Sequence, residues 1–366
     1  MRSRLNRMTT SQVTDRSVDL LLQELSQING NVLLVADENW GQADWLSAIN
    51  ATTANVTLIS NRFDIARDAK AAGILSYFND FDFSDFLPSH FDALFFRISK
   101  ERASSHHVIN QAAALLKAEG KLLLSGEKNE GIKTYVRQAC QLFGDKASTQ
   151  KNGLSYFASI SLHSADANQL DDKNYPRLRP ITVQLRMDAD KQYVSKPGIF
   201  GWNKIDRGSA FLIDHLPQFL SRYDDVPRSL LDLGCGYGYL SCEASYHPFT
   251  SITATDNNAA ALAATNENLA QLSHPDFQVT AADAGDHLNQ LFDTILCNPP
   301  FHQGFTVDDD LSIKFLYNTK RLLSSAGQAL FVVNSFIPLE YKAKQYFAQV
   351  NILANNGAFK LVALSQ

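Results

Sequence analysis

An apolar run that breaks into alternating glycines, "SLLDLGCGYG", limits what this chain can fold into more than any other feature. The run at 230–233 is strand-sized. Gly234, Gly236 and Gly238 let the backbone turn sharply at its end and let a ligand approach with no Cβ in the way. The segments downstream keep the same style. "SITATD" reads as a second strand ending in an acid, "FDTILCNPPF" as a strand entering a proline turn, and "AGQALFVVN" as another strand. "NAAALAATNENLAQL" reads as a helix between them. Strands alternating with helices make βαβ units, whose strands pair in parallel. The expectation for this half is an α/β, doubly wound domain.

The N-terminal half repeats the order. "NVLLVADENWG", "NVTLIS", "FDALFFRIS" and "EGKLLLSGEKNEGIKTY" match the four strands in turn, at an offset of roughly 200 residues. "FDALFFR" over "FDTILCN" is the closest pairing. Each matched turn has lost its special residues: "ADENWG" stands for the glycine loop, Ser60 for Asp256 and "RISK" for "NPPF". A stretch rich in Asp, Asn, Pro and Arg over 164–185 marks the boundary. The expected division is a degenerate domain at 1–165, a linker at 166–195 and a catalytic domain at 196–366.

Composition removes several classes. With 366 residues, 45% hydrophobic and 10% aromatic, the chain has material for two cores and is not disordered. No apolar run reaches the roughly 18 residues of a membrane span. Cys140, Cys235, Cys242 and Cys297 form no CxxC pair and no disulfide framework, so neither a structural metal nor an oxidising compartment is expected. The start, "MRSRLNRMTTSQVTD", lacks the apolar core of a secretory signal. Its basic, Ser/Thr-rich character fits a transit peptide or, more plainly, a tail before the helix "SVDLLLQEL". The expected location is the cytoplasm.

The net charge of −5 argues against a general nucleic-acid binder, but its distribution argues back. Lys173, Arg177, Arg179, Arg186, Lys191, Lys196, Lys204 and Arg207 are opposed only by Asp188, Asp190 and Asp206, a net of +5 for 173–207. A local basic stripe on an acidic protein can follow a phosphate backbone. A solvated linker has the same composition.

Three motifs carry chemistry. A dinucleotide fingerprint needs its third glycine at 239, where Tyr239 stands, so the loop suits a ligand with no pyrophosphate to seat. Asp256 closes the neighbouring strand, where a carboxylate can accept both hydrogen bonds of a ribose diol or cap the next helix. Asp283, in "TAADAGD", sits after a further strand, within reach of an adenine amine or in a plain turn. The third motif is Asn298-Pro299-Pro300-Phe301. Its prolines fix the backbone and remove two N–H donors, leaving the Asn298 carboxamide oxygen and the Pro299 carbonyl as paired acceptors. Such a pair can hold both hydrogens of an exocyclic amine and aim its lone pair at a methyl donor. Phe301 offers a face on which a flipped base can stack.

With "LDLGCGYG", "TD" and "CNPPF" in place, the C-terminal half resembles the class I S-adenosylmethionine-dependent methyltransferases that act on amino groups. "NPPFHQG" is similar to the guanine-N2 rRNA methyltransferases, and "KPGIFGWNKIDRGSAFLIDHL" resembles their segment ahead of the first strand. Phe211 and Leu212 stand there in place of a leucine pair. A degenerate methyltransferase-like N-terminal half is characteristic of the RsmC type, which methylates 16S rRNA in the small subunit. The resemblance implies two tandem Rossmann-like domains and a set of roles. Gly234, Cys235, Gly236 and Gly238, with Asp232 just before them, would lie along the cofactor, Asp256 at its ribose and Asp283 near its adenine. Phe200, Asp206 and Gly208 would cover it. Asn298, Pro299 and Phe301 would hold the guanine, with Pro300, His302, Arg177, Arg179 and Arg186 on the RNA side. The implied partner is 16S rRNA in the small subunit or its assembly intermediate, met by a monomer, with S-adenosyl-L-methionine as cofactor.

Other readings remain beside this one. The related large-subunit (23S) guanine-N2 enzyme shares the duplication and the NPPF motif. Adenine-N6 and protein-glutamine methyltransferases usually carry NPPY. An inactive RNA-binding assembly factor would not need Gly234, Asp256 and Asn298 intact. A dehydrogenase is disfavoured by Tyr239.

Overall fold

The computed structural model describes residues 14–166, 168–181, 192–272, 276–300 and 309–366. The chain divides into two compact units between Pro176 and Arg177.

The first unit runs α1 (Arg16–Leu25), β1 (Asn31–Ala36), α2 (Trp45–Asn50), β2 (Asn55–Ser60), α3 (Phe63–Ala71), β3 (Leu75–Phe78), β4 (Phe91–Arg97), α4 (Arg102–Leu115), β5 (Leu116–Glu127), α5 (Ile132–Phe143), β6 (Gln150–Asn152) and β7 (Ser155–Ser161). Its sheet order is β3-β2-β1-β4-β5-β7-β6, parallel from β3 to β5 and antiparallel beyond. "NVLLVA" and "FDALFFR" are almost continuously apolar because β1 and β4 are covered on both faces. Asp15 starts α1 by accepting from the N–H groups of Ser17 and Val18. The helix then buries Val18, Leu21 and Leu25 at helical spacing.

The second unit runs β8 (Arg179–Ile181), β9 (Tyr193–Ser195), α6 (Arg207–Asp214), α7 (Leu216–Leu220), β10 (Ser229–Leu233), α8 (Tyr239–Ala244), β11 (Ser251–Asp256), α9 (Ala259–Ala270), β12 (Phe277–Ala281), β13 (Phe292–Cys297), α10 (Asp309–Leu322), β14 (Leu323–Asn334), α11 (Leu339–Ala343), β15 (Gln349–Asn355) and β16 (Phe359–Ser365). Its sheet order, β12-β11-β10-β13-β14-β16-β15, repeats the first strand for strand. The registers agree as well. Asn31 pairs with Asn55 as Ser229 pairs with Ser251, and Val32 with Ala93 as Leu230 with Thr294. Ser60 therefore occupies the place of Asp256, and Arg97 that of Asn298.

Alternation along the strands builds two apolar layers in the second unit. Leu231, Leu233, Ile295 and Cys297 pack with Phe315 and Leu316 of α10. Leu230, Leu296, Leu330 and Val332 pack with Leu212, Leu216 and Phe219 of α6 and α7. Burying each such side chain contributes about 1.5–3 kcal/mol. Because β10 has β11 on one side and β13 on the other, the chain reverses direction of travel there. Such a switch point opens a crevice at the carboxyl ends of the strands.

The stretch 166–195 is packed at both ends where it is described. Tyr175 is buried in the first unit and donates its hydroxyl to Asp80 at 2.8 Å, while Asn110 and the backbone of Leu170 exchange two hydrogen bonds. Across the boundary, Ile181 and Tyr193 join the core of the second unit, and Asn268 exchanges two bonds with the Val194 backbone. A few apolar anchors dock a stretch whose bulk composition is polar. Among the described residues, no helix is long and apolar enough to cross a membrane.

The fold yields one expectation about stability. Leu296 is fully buried at the centre of the second sheet, directly before the turn that carries Asn298. Leu296→Ala should destabilise that unit by about 2–5 kcal/mol. Urea unfolding followed by circular dichroism checks this through a lowered midpoint.

Candidate active site

The turn after β10 is built by backbone bonds to its neighbour. The N–H groups of Gly234 and Cys235 both donate to the Thr255 carbonyl at 2.9 Å, and Gly238 N–H donates back to Cys235 at 2.8 Å. Gly236 and Gly238 adopt φ of +57° and +87°, where a side chain is strained. At Gly238 a Cβ would also come within 3.0 Å of Thr265. At Gly236 it would meet nothing within 4 Å, so the outer face of the loop is open.

Asp256 lies against this loop. Its Oδ2 accepts from Gly236 N–H at 3.0 Å and its Oδ1 from Asn258 N–H at 2.8 Å. The helix cap that competes for this role is supplied by Asn258, which accepts from Ala260 N–H. Asp256 thus presents a carboxylate fixed by two amides, with further acceptor capacity on both oxygens.

Asp232 and Cys235 are placed differently from the roles implied for them. Asp232 is fully buried beneath the loop, and its Oδ2 accepts from the N–H and hydroxyl of Ser241 at 2.9 and 2.7 Å. It holds the start of α8 to the loop and does not face the cleft. Burial raises its pKa to about 7, and the nearby Asp256 adds to that. The Cys235 side chain points inward to the Thr265 hydroxyl, so only its backbone faces outward. Burial pushes the Cys235 and Cys297 thiols up, which removes both as nucleophiles at neutral pH.

Asn298 follows β13 and is half-buried; Pro299 is buried and Pro300 exposed. Both hydrogens of the Asn298 amide are engaged. Nδ2 donates to Asp206 Oδ2 at 2.9 Å and to Ser209 Oγ at 2.8 Å. Asp206 is itself the N-cap of α6 and accepts from Ser209 N–H at 2.9 Å. Gly208 is buried behind it, where a Cβ would meet Asp206 Oδ2 at 3.0 Å and the Phe359 ring at 3.1 Å. Gly208 therefore serves close packing of α6, and Asp206 meets the amide. Ser209 was not anticipated from the sequence. Its position three residues after a capping Asp was the available signal.

The remaining expected residues scatter more. Asp283 carries an ion pair to Lys314 of α10, a partner with no signal in the sequence, and its N–H donates to Asp286 at 2.9 Å. Phe200 is 64% exposed beside the buried Ile199, and the Gly198 carbonyl accepts from Asn258. Among the described residues, the basic side chains of 173–207 differ in exposure and partners. Lys196 is buried, and Lys173 belongs to the first unit, paired with Asp171. Arg177, Lys204 and Arg207 are exposed and Arg179 is half-buried in β8. Lys196 directly follows β9 and is buried like Ser195 before it, which a charge count does not show. Phe301, His302, Arg186 and Lys191 lie outside the described residues.

The matched places in the first unit hold different groups. Asp37 takes the loop position, is buried, and has its pKa raised to about 8 by burial and by Glu38. Trp40 is fully buried in the core beside it. Ser60 is buried, and Arg97 ends β4 in ion pairs with Asp15 and Glu130, both at 2.9 Å.

The buried Asp232 carboxyl sets a pH dependence. Its folded-state pKa is above the ordinary value of 3.8, so the fold retains a proton that the unfolded chain releases. That contribution is full below pH 3.8 and is lost as pH rises through about 7. Asp232→Asn should therefore flatten the fall of the thermal midpoint between roughly pH 4 and 7, by on the order of a few degrees. A variant as steep as the wild type would contradict this.

Comparison with known proteins agrees with the geometry. Residues 190–363 match the family model for the methyltransferase small domain, and residues 18–152 match that for its N-terminal partner, the methyltransferase small domain N-terminal. The ribosomal RNA small subunit methyltransferase C of Shewanella loihica is 27% identical over 360 residues, covering 96% of this chain and 97% of its own. That of Pseudomonas paraeruginosa is 29% identical over 269 residues, 72% of this chain and 76% of its own. Among solved structures, the T. thermophilus 16S rRNA N2 G1207 methyltransferase (RsmC), in complex with AdoMet and guanosine, shares the fold at a TM-score of 0.81. Its identity is 20%, over 96% of this chain and 92% of that one. With one half matched by the methyltransferase domain and the other by its N-terminal companion, the chain belongs to the methyltransferase small-domain family.

Proposed function

We propose that the second unit transfers a methyl group from S-adenosylmethionine to the exocyclic N2 amine of a guanine in 16S rRNA of the small ribosomal subunit, in the cytoplasm and as a monomer. The observation that carries this reading is the Asn298 amide, held by Asp206 and Ser209 at the carboxyl end of β13, on the sheet edge that carries the glycine loop and Asp256. Small-subunit specificity is supported by relatives of that name that match nearly end to end.

The residues present fit the cofactor. Gly236 leaves the loop open where a methionine moiety would lie, and Asp256 is pinned by two amides where a ribose diol would need an acceptor. Bound there, S-adenosylmethionine supplies a methyl group on a sulfonium, an electrophile that needs no acid to activate it. The protein's task is then the amine. An aryl amine is a poor nucleophile because its lone pair is shared with the ring. Asn298 donates its own hydrogens to Asp206 and Ser209, which turns Oδ1 to the other side of the amide as an acceptor. Oδ1 and the Pro299 carbonyl together can take both amine hydrogens, favour the pyramidal nitrogen and aim its lone pair. Phe301, three residues after Asn298 in the sequence, supplies a ring on which the flipped base stacks. The proton displaced from nitrogen leaves to water, and no strong base is required.

The first unit keeps the core and lacks the loop, the acid and the amide, so its role is folding or docking on the ribosomal particle. Arg177, Arg179 and Arg186 add phosphate contacts.

Asn298→Ala should lower kcat roughly 100- to 1000-fold, by analogy with removal of one preorganised polar group, while cofactor affinity stays near normal. Asp256→Ala should weaken cofactor binding by about 1.5–3 kcal/mol in calorimetry. Incubating the protein and labelled cofactor with 30S and 50S particles, then resolving the nucleosides, tests the substrate. N2-methylguanine from 30S RNA is the expected product. N6-methyladenine, or label confined to 50S RNA, would refute the assignment.

A further inference from the structure

We infer that Asp206, assisted by Ser209, is a positioning residue that fixes which end of the Asn298 amide meets the substrate. The inference rests on the reading of Asn298 as the holder of the amine and concerns what makes that side chain competent. A carboxamide has two nearly isosteric ends, and only one of them accepts hydrogen bonds. An unrestrained Asn298 could present NH2 to an incoming amine, donor against donor. Asp206 Oδ2 accepts here from Ser209 N–H and, at 2.9 Å, from the Asn298 amide, and an acceptor in that place suits NH2 and repels Oδ1. Ser209 takes the second hydrogen at 2.8 Å.

The other half of the molecule contains an independent copy of this contact. Asp15 caps α1 as Asp206 caps α6. Arg97 ends β4 where Asn298 follows β13, and its Nε and one terminal nitrogen donate to Asp15 Oδ2 at 3.1 and 2.9 Å. In both units the capping carboxylate grips the side chain that leaves the fourth parallel strand. The grip asks only for a donor, and Arg97 satisfies it as well as an amide does. Arginine has no acceptor to offer on its far side, whereas asparagine has one. The carboxylate thus acts as the holder in both halves, and asparagine is the choice that makes the held group useful. Gly208 belongs to the same arrangement, since a Cβ there would crowd Asp206 Oδ2.

Asp206→Asn weakens the hold, because Oδ2 serves both the α6 cap and the Asn298 amide. An asparagine oxygen in that place keeps the cap but holds Asn298 without a charge, and the asparagine turned round offers NH2 to Asn298 Oδ1 at the expense of the cap, a route to the flipped amide that aspartate does not have. In the full chain, Asp206→Asn is expected to lower kcat roughly 10- to 100-fold. KM for 30S particles and cofactor affinity should change by less than about 2-fold and the thermal midpoint should barely move. Ser209→Ala should give a smaller loss. In an Asn298→Ala background, Asp206→Asn should cost nothing further, because the group it orients is gone. A wild-type kcat in Asp206→Asn, a loss that persists undiminished in the Asn298→Ala background, or a loss that follows cofactor affinity would each overturn the inference.

One readout needs no substrate. The Asn298 side-chain NH2 signals, identified in 15N spectra by their absence in Asn298→Ala, should exchange slowly with water in the wild type and faster in Asp206→Asn. Equal exchange in the two would overturn the inference. If the wild type proves to methylate another amine, the reading of the substrate fails, yet slow exchange in the wild type and the same kcat split on that amine would still uphold the positioning role.

Discussion

Parallel pairing of β10 with β11 on one side and β13 on the other is the constraint on which the site depends. Parallel strands end at the same edge, so residues that close different strands are delivered to one place however far apart they lie in sequence. Gly234, Asp256 and Asn298 arrive together in this way. The registers fix their heights: Leu233 pairs with Thr255, which sets Gly234 and Asp256 one step beyond that pair, and Asp232 pairs with Leu296, which sets Gly234 and Asn298 two steps beyond that one. A sheet buried on both faces holds such registers firmly, because a one-residue slip would turn every core side chain the wrong way.

Around that edge, most of the polar chemistry serves orientation. Asp232 is sunk beneath the loop and tied to Ser241, Asp256 is pinned by two backbone amides, and Asn298 is gripped by Asp206 and Ser209. Group transfer to an amine from a sulfonium requires little acid–base work and much alignment. The placement of these carboxylates suits that demand: each accepts from backbone N–H groups or an amide, and burial raises the pKa of Asp232 to about 7.

The duplicated half shows that core and site are separable. Both sheets have the same strand order and matching registers. In the first unit the places at the strand ends hold Asp37, Ser60 and Arg97, with Trp40 filling space beside the lost loop. Arg97 is buried between Asp15 and Glu130, a paired charge whose loss would leave uncompensated acids. The cluster fills the strand ends with groups that pair with one another, while the hydrophobic layers below remain intact.

The sequence by itself determined the α/β class, the duplication, and the identity of the loop, acid and amide motifs. These are local signals: strand-length apolar runs, glycines that permit positive φ, and prolines that fix a turn. Polar composition set the expected linker at 166–195, whereas the burial of Tyr175, Ile181 and Tyr193 depended on distant partners. Only the tertiary structure decided which side each residue faces. It turned Lys196 and Cys235 inward, set Asp232 below the loop, tied Asp283 to Lys314, and gave Asp206 to Asn298. The reason is physical. A backbone motif is written in adjacent residues, whereas the direction of a carboxylate is set by donors that come from another strand or helix and exist only once the sheet has formed.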